Sequence, residues 1–205
     1  MNKLLVSLLL TLGVTGAANA AGNLVGDAAA GQGKTAVCGA CHGPDGNSMA
    51  PNFPKLAGQG EKYLEKQLHD IKSGKRTVLE MTGLLTNLSD QDMADIAAYF
   101  ASQKGSVGAA DPKLVAAGEA LFRGGNLEKG MPACTGCHSP NGAGLAAAGF
   151  PHLGGQHAQY VAKQLTDFRE GNRTNDGDAM TMRSIAAKLS NKDIEAVSSY
   201  IQGLH

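Results

Sequence analysis

Tryptophan is absent, and four tyrosines and five phenylalanines are the only aromatic residues in a chain of 205. Neither sign of charge dominates, with 18 Lys+Arg against 18 Asp+Glu. That balance removes the electrostatic footprint of a nucleic-acid binder and the basic run that holds a protein on anionic lipid. No apolar stretch beyond the N-terminus approaches the roughly twenty residues that a membrane-spanning helix needs. Alternating apolar and polar residues nowhere run long enough to suggest a strand. Cysteine is scarce too, at four residues. A chain so poor in large side chains has little with which to fill a core, and something apolar has to come from outside the sequence.

What is present begins with MNKLLVSLLLTLGVTGAANA. Lys3 precedes an apolar run from Leu4 to Val14, and Ala18-Asn19-Ala20 supplies a small-x-small cleavage pattern. Eleven apolar residues are too few to cross a bilayer, so residues 1–20 read as a secretory signal peptide. Cleavage after Ala20 would leave 185 residues of an exported protein, with 17 basic and 18 acidic side chains once Lys3 is gone.

The remainder is a repeat. FPKLAGQ at 53–59 recurs as FPHLGGQ at 150–156, and YLEKQLHDIKSGKRT at 63–77 as YVAKQLTDFREGNRT at 160–174. LSDQDMADIAAYF at 88–100 matches LSNKDIEAVSSYI at 189–201, the offset growing from 96 at the cysteines to 97 and then 101. Copies of this length are duplicated domains. The expected division is an N-terminal domain over 21–104, a Gly/Ala-rich linker over 105–112 and a C-terminal domain over 113–205. Within each copy the periodicity is helical. Tyr63, Leu64, Gln67, Leu68 and Ile71 share one face before Gly74 stops the helix. Ser89 and Ser190 each precede an Asp by three residues, as in a capping box. Asp111-Pro112 reads as the start of a helix ending at Gly124-Gly125. Each domain is therefore expected to be a small bundle of three to five helices.

All four cysteines fall in two copies of Cys-x-x-Cys-His: Cys38, Cys41 and His42, then Cys134, Cys137 and His138. A thioredoxin-type pair belongs in a βαβ setting that is missing here. A zinc ion shared by all four thiols would leave the two histidines unexplained. Covalent attachment of haem c uses every residue: two thiols form thioethers with one porphyrin and the following His ligates its iron. Two haems would also supply the missing core. Of the six methionines after Met1, Met81 and Met182 occupy matching places, each eight residues before a capping serine. Met93 reads as core filler, and Met180, which aligns with Leu79, as a packing residue.

Taken together, each half resembles a class I cytochrome c, with CxxCH near the end of a first helix, a Phe-Pro-x-Leu loop and a late Met. The tandem arrangement, with FPxLxGQ and GxRT in both halves, is similar to the dihaem cytochromes c4. That resemblance covers essentially all of the chain after residue 20. It implies an all-α fold of two tandem cytochrome c domains, each a helical bundle around one covalent haem, related by a pseudo-twofold axis. It implies haem attachment at Cys38, Cys41, Cys134 and Cys137, with His42, Met81, His138 and Met182 as iron ligands. Pro54 and Pro151 stand where the family uses a proline carbonyl to hold the ligating imidazole, unless they serve only as turn residues. Arg76 and Arg173 recur identically, either to pair with haem propionates or as exposed structural arginines. His69, His152, His157 and His205 lack a counterpart in the other repeat and are assigned to surface or loop roles. Tyr63, Tyr160, Gln67 and Gln164 are assigned to packing.

The resemblance further implies a periplasmic carrier of single electrons, taken from a quinol-oxidising donor complex and given to a terminal oxidase. Nucleic acid is not an expected partner, and loose association with a membrane stays open. Two rival readings are a dihaem peroxidase, which needs one iron with an open position, and a haem subunit of a dehydrogenase.

Overall fold

The computed structural model describes residues 24–205, so the signal-peptide expectation over 1–20 lies outside the described residues. The N-terminal half contains α1 (Ala28–Gln32), α2 (Ala36–His42), α3 (Glu61–Lys72), a 3-10 turn at Leu79–Met81, and α4 (Asp90–Ser102). The C-terminal half contains α5 (Val115–Gly124), α6 (Thr135–His138), a 3-10 turn at Ala146–Ala148 without a counterpart, α7 (Ala158–Glu170), α8 (Thr181–Ala186) in place of the first half's 3-10 turn, and α9 (Asn191–Gly203). Among the described residues the only strand-like features are two isolated bridges, Asn126–Met131 and Leu145–Phe150, both in stretches that lengthen the second copy.

Local chemistry explains the boundaries. Ser89 accepts from the Asp92 backbone N–H while the Asp92 carboxylate accepts from the Ser89 N–H, and Ser190 and Asp193 do the same for α9. Caps of this kind are worth about 1 kcal/mol each. One expected start is displaced. Asp111 spends its side chain on the N–H of Lys113 and its carbonyl on that of Leu114, closing a turn, and α5 begins only at Val115.

In both halves the first helix crosses the last at a glycine. A Cβ on Gly31 would lie 2.0 Å from the carbonyl oxygen of Asp95, and one on Gly118 would lie 2.3 Å from that of Ala196. Only hydrogen at these positions lets α1 meet α4 and α5 meet α9 so closely. The cores behind these crossings differ in size. Phe122, Val161, Val197, Tyr200, Ile201 and Leu204 form one C-terminal cluster, joined by a second of Met131, Leu189 and Ile194. The N-terminal cluster is just Leu64, Ile96, Ala97 and Phe100. Met93 is fully buried, as its packing assignment required.

The two domains meet through reciprocal contacts that display the pseudo-twofold axis. Gln59 donates to the carbonyl of His152 (2.9 Å) and accepts from its N–H (2.8 Å). Gln156 does the same to the backbone of Lys55, at 2.9 Å in both directions. Lys55 Nζ donates to the carbonyl of Gly155 (2.9 Å), and the His152 ring reaches that of Gly58 (3.3 Å). His157 Nε2 lies 2.8 Å from the carbonyl of Ser48. His152 and His157 lie in loops, as expected, and there make interdomain contacts. The repeat concealed this because Lys55 fills the matching role of His152.

In the N-terminal domain Lys34 Nζ sits 2.6 Å from both Asp92 and Asp95, clamping α1's C-terminal side to α4. Hydrogen bonds from Lys34, Asp27 and Gln91 lower the Asp95 carboxyl from 3.8 to about 2, and bonds from Lys34 and Ser89 lower Asp92 further. A depressed carboxylate adds stability that is present above its unfolded-state value and is lost as pH falls through its folded value. Acid titration should therefore show the stability of the N-terminal domain falling as pH drops below about 4. Asp95→Asn should flatten that dependence; an unchanged acid transition would show that this ion cluster does not contribute.

Candidate haem-binding sites

Each motif ends a short helix at its histidine: Cys38, Cys41 and His42 lie within α2, while Cys134 caps α6 and Cys137 and His138 lie within it. In a helical turn, residues i and i+3 share a face and residue i+4 follows on the same side. Both thiols and the imidazole of each motif are thereby presented together. Gly43, at φ +80°, turns the chain away after His42, and Ser139 adopts φ +69° after His138. That left-handed conformation is costly for serine, and its hydroxyl ties the turn by donating to the carbonyl of Gly144 at 2.7 Å.

Both imidazoles are buried, at 7% exposure each. His42 Nδ1 lies 2.8 Å from the carbonyl of Pro54, and His138 Nδ1 lies 3.0 Å from that of Pro151. A carbonyl can only accept, so Nδ1 carries the proton in each ring. Burial lowers both imidazoles from their ordinary value, only partly opposed by the proline carbonyl. The result is a neutral ring whose Nε2 offers a lone pair, the form that ligates a metal.

The thiols argue against redox chemistry of their own. Burial raises Cys38 and pushes Cys134 up to about 11, whereas a reactive dithiol needs a stabilised thiolate. Among the described residues no three His, Cys, Asp or Glu side chains converge to hold a metal ion. The four cysteines therefore do not form one shared zinc site.

Met81 ends the 3-10 turn of the first domain and is half-buried; Met182 is the second residue of α8 and is also half-buried. Met180 is not the packing residue expected. It caps α8 with φ +48° and is 48% exposed, because the chain must turn sharply there to enter the helix. The change of offset from 97 to 101 is absorbed by a loop containing Asp176. Its carboxylate accepts from Arg183 Nε at 2.7 Å and from the Arg183 N–H at 2.9 Å.

Arg76 and Arg173 are 9% and 8% exposed, which removes the reading of exposed structural arginines. Both reach across the interface. Arg76 donates to Gln67 of its own domain and to Tyr160 and Gln164 of the other, each at 2.9 Å. Arg173 donates to its own Gln164 (2.8 Å) and across to Tyr63 and Gln67, both at 3.1 Å. The two tyrosines and two glutamines, assigned to packing, are in fact the acceptors of this network. Burial raises the Tyr63 phenol, but the fields of Arg173 and Arg76 and the bond from Arg173 outweigh it and hold the phenol below its ordinary value. Every hydrogen-bond partner of either guanidinium among the described residues is neutral.

These features fit a haem in each half. Two buried cations without a bonded carboxylate suit anionic propionates, since an unpaired buried charge is strongly unfavourable. Two neutral imidazoles with free Nε2 atoms adjoin paired thiols. The N-terminal cluster is the smaller of the two, which sets an order of dependence. Replacing Cys38 and Cys41 by Ala should cost the N-terminal domain its helicity and protease resistance. The same change at Cys134 and Cys137 should leave more residual structure in the larger C-terminal core. Equal loss in the two halves would contradict the difference in core size.

Comparison with known proteins agrees with this geometry. The cytochrome c family model matches the chain twice, over residues 28–104 and 115–205. Cytochrome c4 of Pseudomonas aeruginosa is 82% identical over the whole of both chains. The crystal structure of reduced recombinant cytochrome c4 from Pseudomonas stutzeri superposes with a TM-score of 0.87 at 75% identity, covering 88% of this chain and all of that one. A more distant relative, the thiosulfate dehydrogenase electron acceptor of Stutzerimonas stutzeri, is 39% identical over 80% of this chain and 77% of its own length. The chain belongs to the cytochrome c family, in its tandem cytochrome c4 form, and is an electron carrier rather than an enzyme, with two covalently bound haem c groups.

Proposed function

We propose that this protein works in the periplasm, taking single electrons from a quinol-oxidising complex and delivering them to a terminal oxidase. The observation that carries the reading is the completeness of both halves. Each has two thiols for thioether links, a neutral imidazole fixed by a proline carbonyl, and a methionine eight residues before the last helix cap. Cys38 and Cys41, with Cys134 and Cys137, hold the porphyrins. His42 and His138 supply Nε2, and Met81 and Met182 supply the sixth donor. Each haem contributes a one-electron iron couple whose potential the thioether donor raises.

The chain's own residues then keep that couple simple. Pro54 and Pro151 fix ring orientation and keep the proton on Nδ1, which leaves Nε2 as the donor and no proton to exchange there. Arg76 and Arg173 compensate propionate charge between the domains. His42 and Met81, and His138 and Met182, would together fill the iron's protein-donated positions in each half and leave none for substrate, which opposes the peroxidase reading. Export to the periplasm rests on the leader-like residues 1–20. A second acceptor role is suggested by the relative that accepts electrons from thiosulfate dehydrogenase; in that case the electron donor would be a thiosulfate-oxidising dehydrogenase.

Oxygen uptake by quinol-energised membranes should rise when the purified protein is restored to them. No rise, together with rapid reduction by a thiosulfate-oxidising dehydrogenase, would move the protein to the second role. The ligand assignment has its own test. Met182→Ala should remove half of the red-edge absorption due to methionine on ferric iron and admit carbon monoxide at that haem. Met180→Leu should leave both unchanged; the reverse result would shift the repeat alignment by two residues.

A further inference from the structure

The interdomain network is twofold in its tyrosines, glutamines and arginines, but not in what surrounds the arginines. Position 175 is asparagine, whereas the matching residue after Arg76-Thr77 is Val78. Asn175 Oδ1 accepts from Arg173 Nε at 3.0 Å, and its Nδ2 donates to Asp70 at 2.7 Å and to Gln67 at 2.9 Å, both in the opposite domain. Its carbonyl accepts from Lys66 at 2.8 Å, and Lys66 also pairs with Asp70. Arg173 therefore connects through one amide to a buried carboxylate. It also lies over the Phe168 ring, 4.5 Å from the centroid. Arg76 has neither neighbour: its counterparts are Val78 and Ile71, and its Nε has no partner among the described residues.

We infer that Asn175 makes the two haem environments unequal, by relaying Arg173 but not Arg76 to a carboxylate of the other domain. The inference rests on the reading that both arginines face haem propionates. A guanidinium whose donors and charge are engaged elsewhere stabilises a nearby propionate less, and so differs in its influence on the adjacent iron. A network with perfect twofold symmetry would present the two haems with matching fields. Asn175 and Phe168 break that match on one side only. Asn175 acts through Arg173 and is a positioning residue.

The test is a mediated redox titration followed by haem absorption on the intact two-haem protein, with small-angle scattering to follow domain docking. Wild type should titrate in two resolved one-electron steps. Asn175→Val, which copies Val78, should draw the steps together while both methionine-ligated ferric bands and the docked domain arrangement are kept. Arg76→Gln and Arg173→Gln separate the premises. If both arginine variants shift a step but Asn175→Val leaves the spacing unchanged, this inference falls and the propionate reading stands. If none of the three moves a step, the propionate reading falls with it. A wild type with unresolved steps contradicts the inference. So does an Asn175→Val protein whose domains separate, since Asn175 would then hold the domains rather than grade the two fields.

Discussion

A neutral imidazole held by a proline carbonyl is the contact around which each half is arranged. It requires a helix ending at His42 or His138, a left-handed residue to reverse the chain, and a loop returning Pro54 or Pro151 to within 3.0 Å of Nδ1. The same loop continues into Gln59 or Gln156, whose amides bind the opposite domain's backbone. Ligand geometry and domain docking are thus built on one stretch of chain. A displacement of either proline loop would disturb both, which explains why FPxLxGQ is repeated as a block.

A polar network lies between the domains. Two guanidinium groups, two phenols and three amides meet where hydrophobic side chains would give a simpler interface. Such groups are favourable only when every member is satisfied. Here the neutral acceptors are shared between both arginines, with Gln67 and Gln164 each serving the two. The arrangement concentrates positive charge between the domains and ties each to the other through matching bonds. Electron passage between two centres depends on a fixed separation more than on the apolar area buried.

Much of this was legible in the chain itself. The duplicated CxxCH, the Phe-Pro loop and the paired methionines are local patterns, and local patterns survive in a sequence. The capping boxes at Ser89 and Ser190 follow from the same logic. The interface was not legible. Tyr63, Gln67 and Arg76 lie on or after one helix, but their partners are about a hundred residues away, and no periodicity reports a contact across domains. Repetition of those side chains was the available signal, and it reads equally as packing. Asn175 gave no signal because it lies where the copies diverge. The fate of Met180 and the late start of α5 depended on side-chain contacts at Asp176 and Asp111: the first reaches seven residues ahead to the Arg183 N–H in the first turn of α8, and the second takes the nearby Lys113 N–H before the helix begins.

The central claim is that both irons are closed by His and Met, so that the protein moves electrons and does no other chemistry. Proton NMR of the fully reduced protein tests it directly, because a methyl group bound to low-spin ferrous haem iron is shifted far upfield by the porphyrin ring current. Selective labelling of methionine methyl groups should show two such signals, lost one at a time in Met81 and Met182 variants. A single upfield methyl, or one that persists without Met182 and disappears without Met180, would contradict the account.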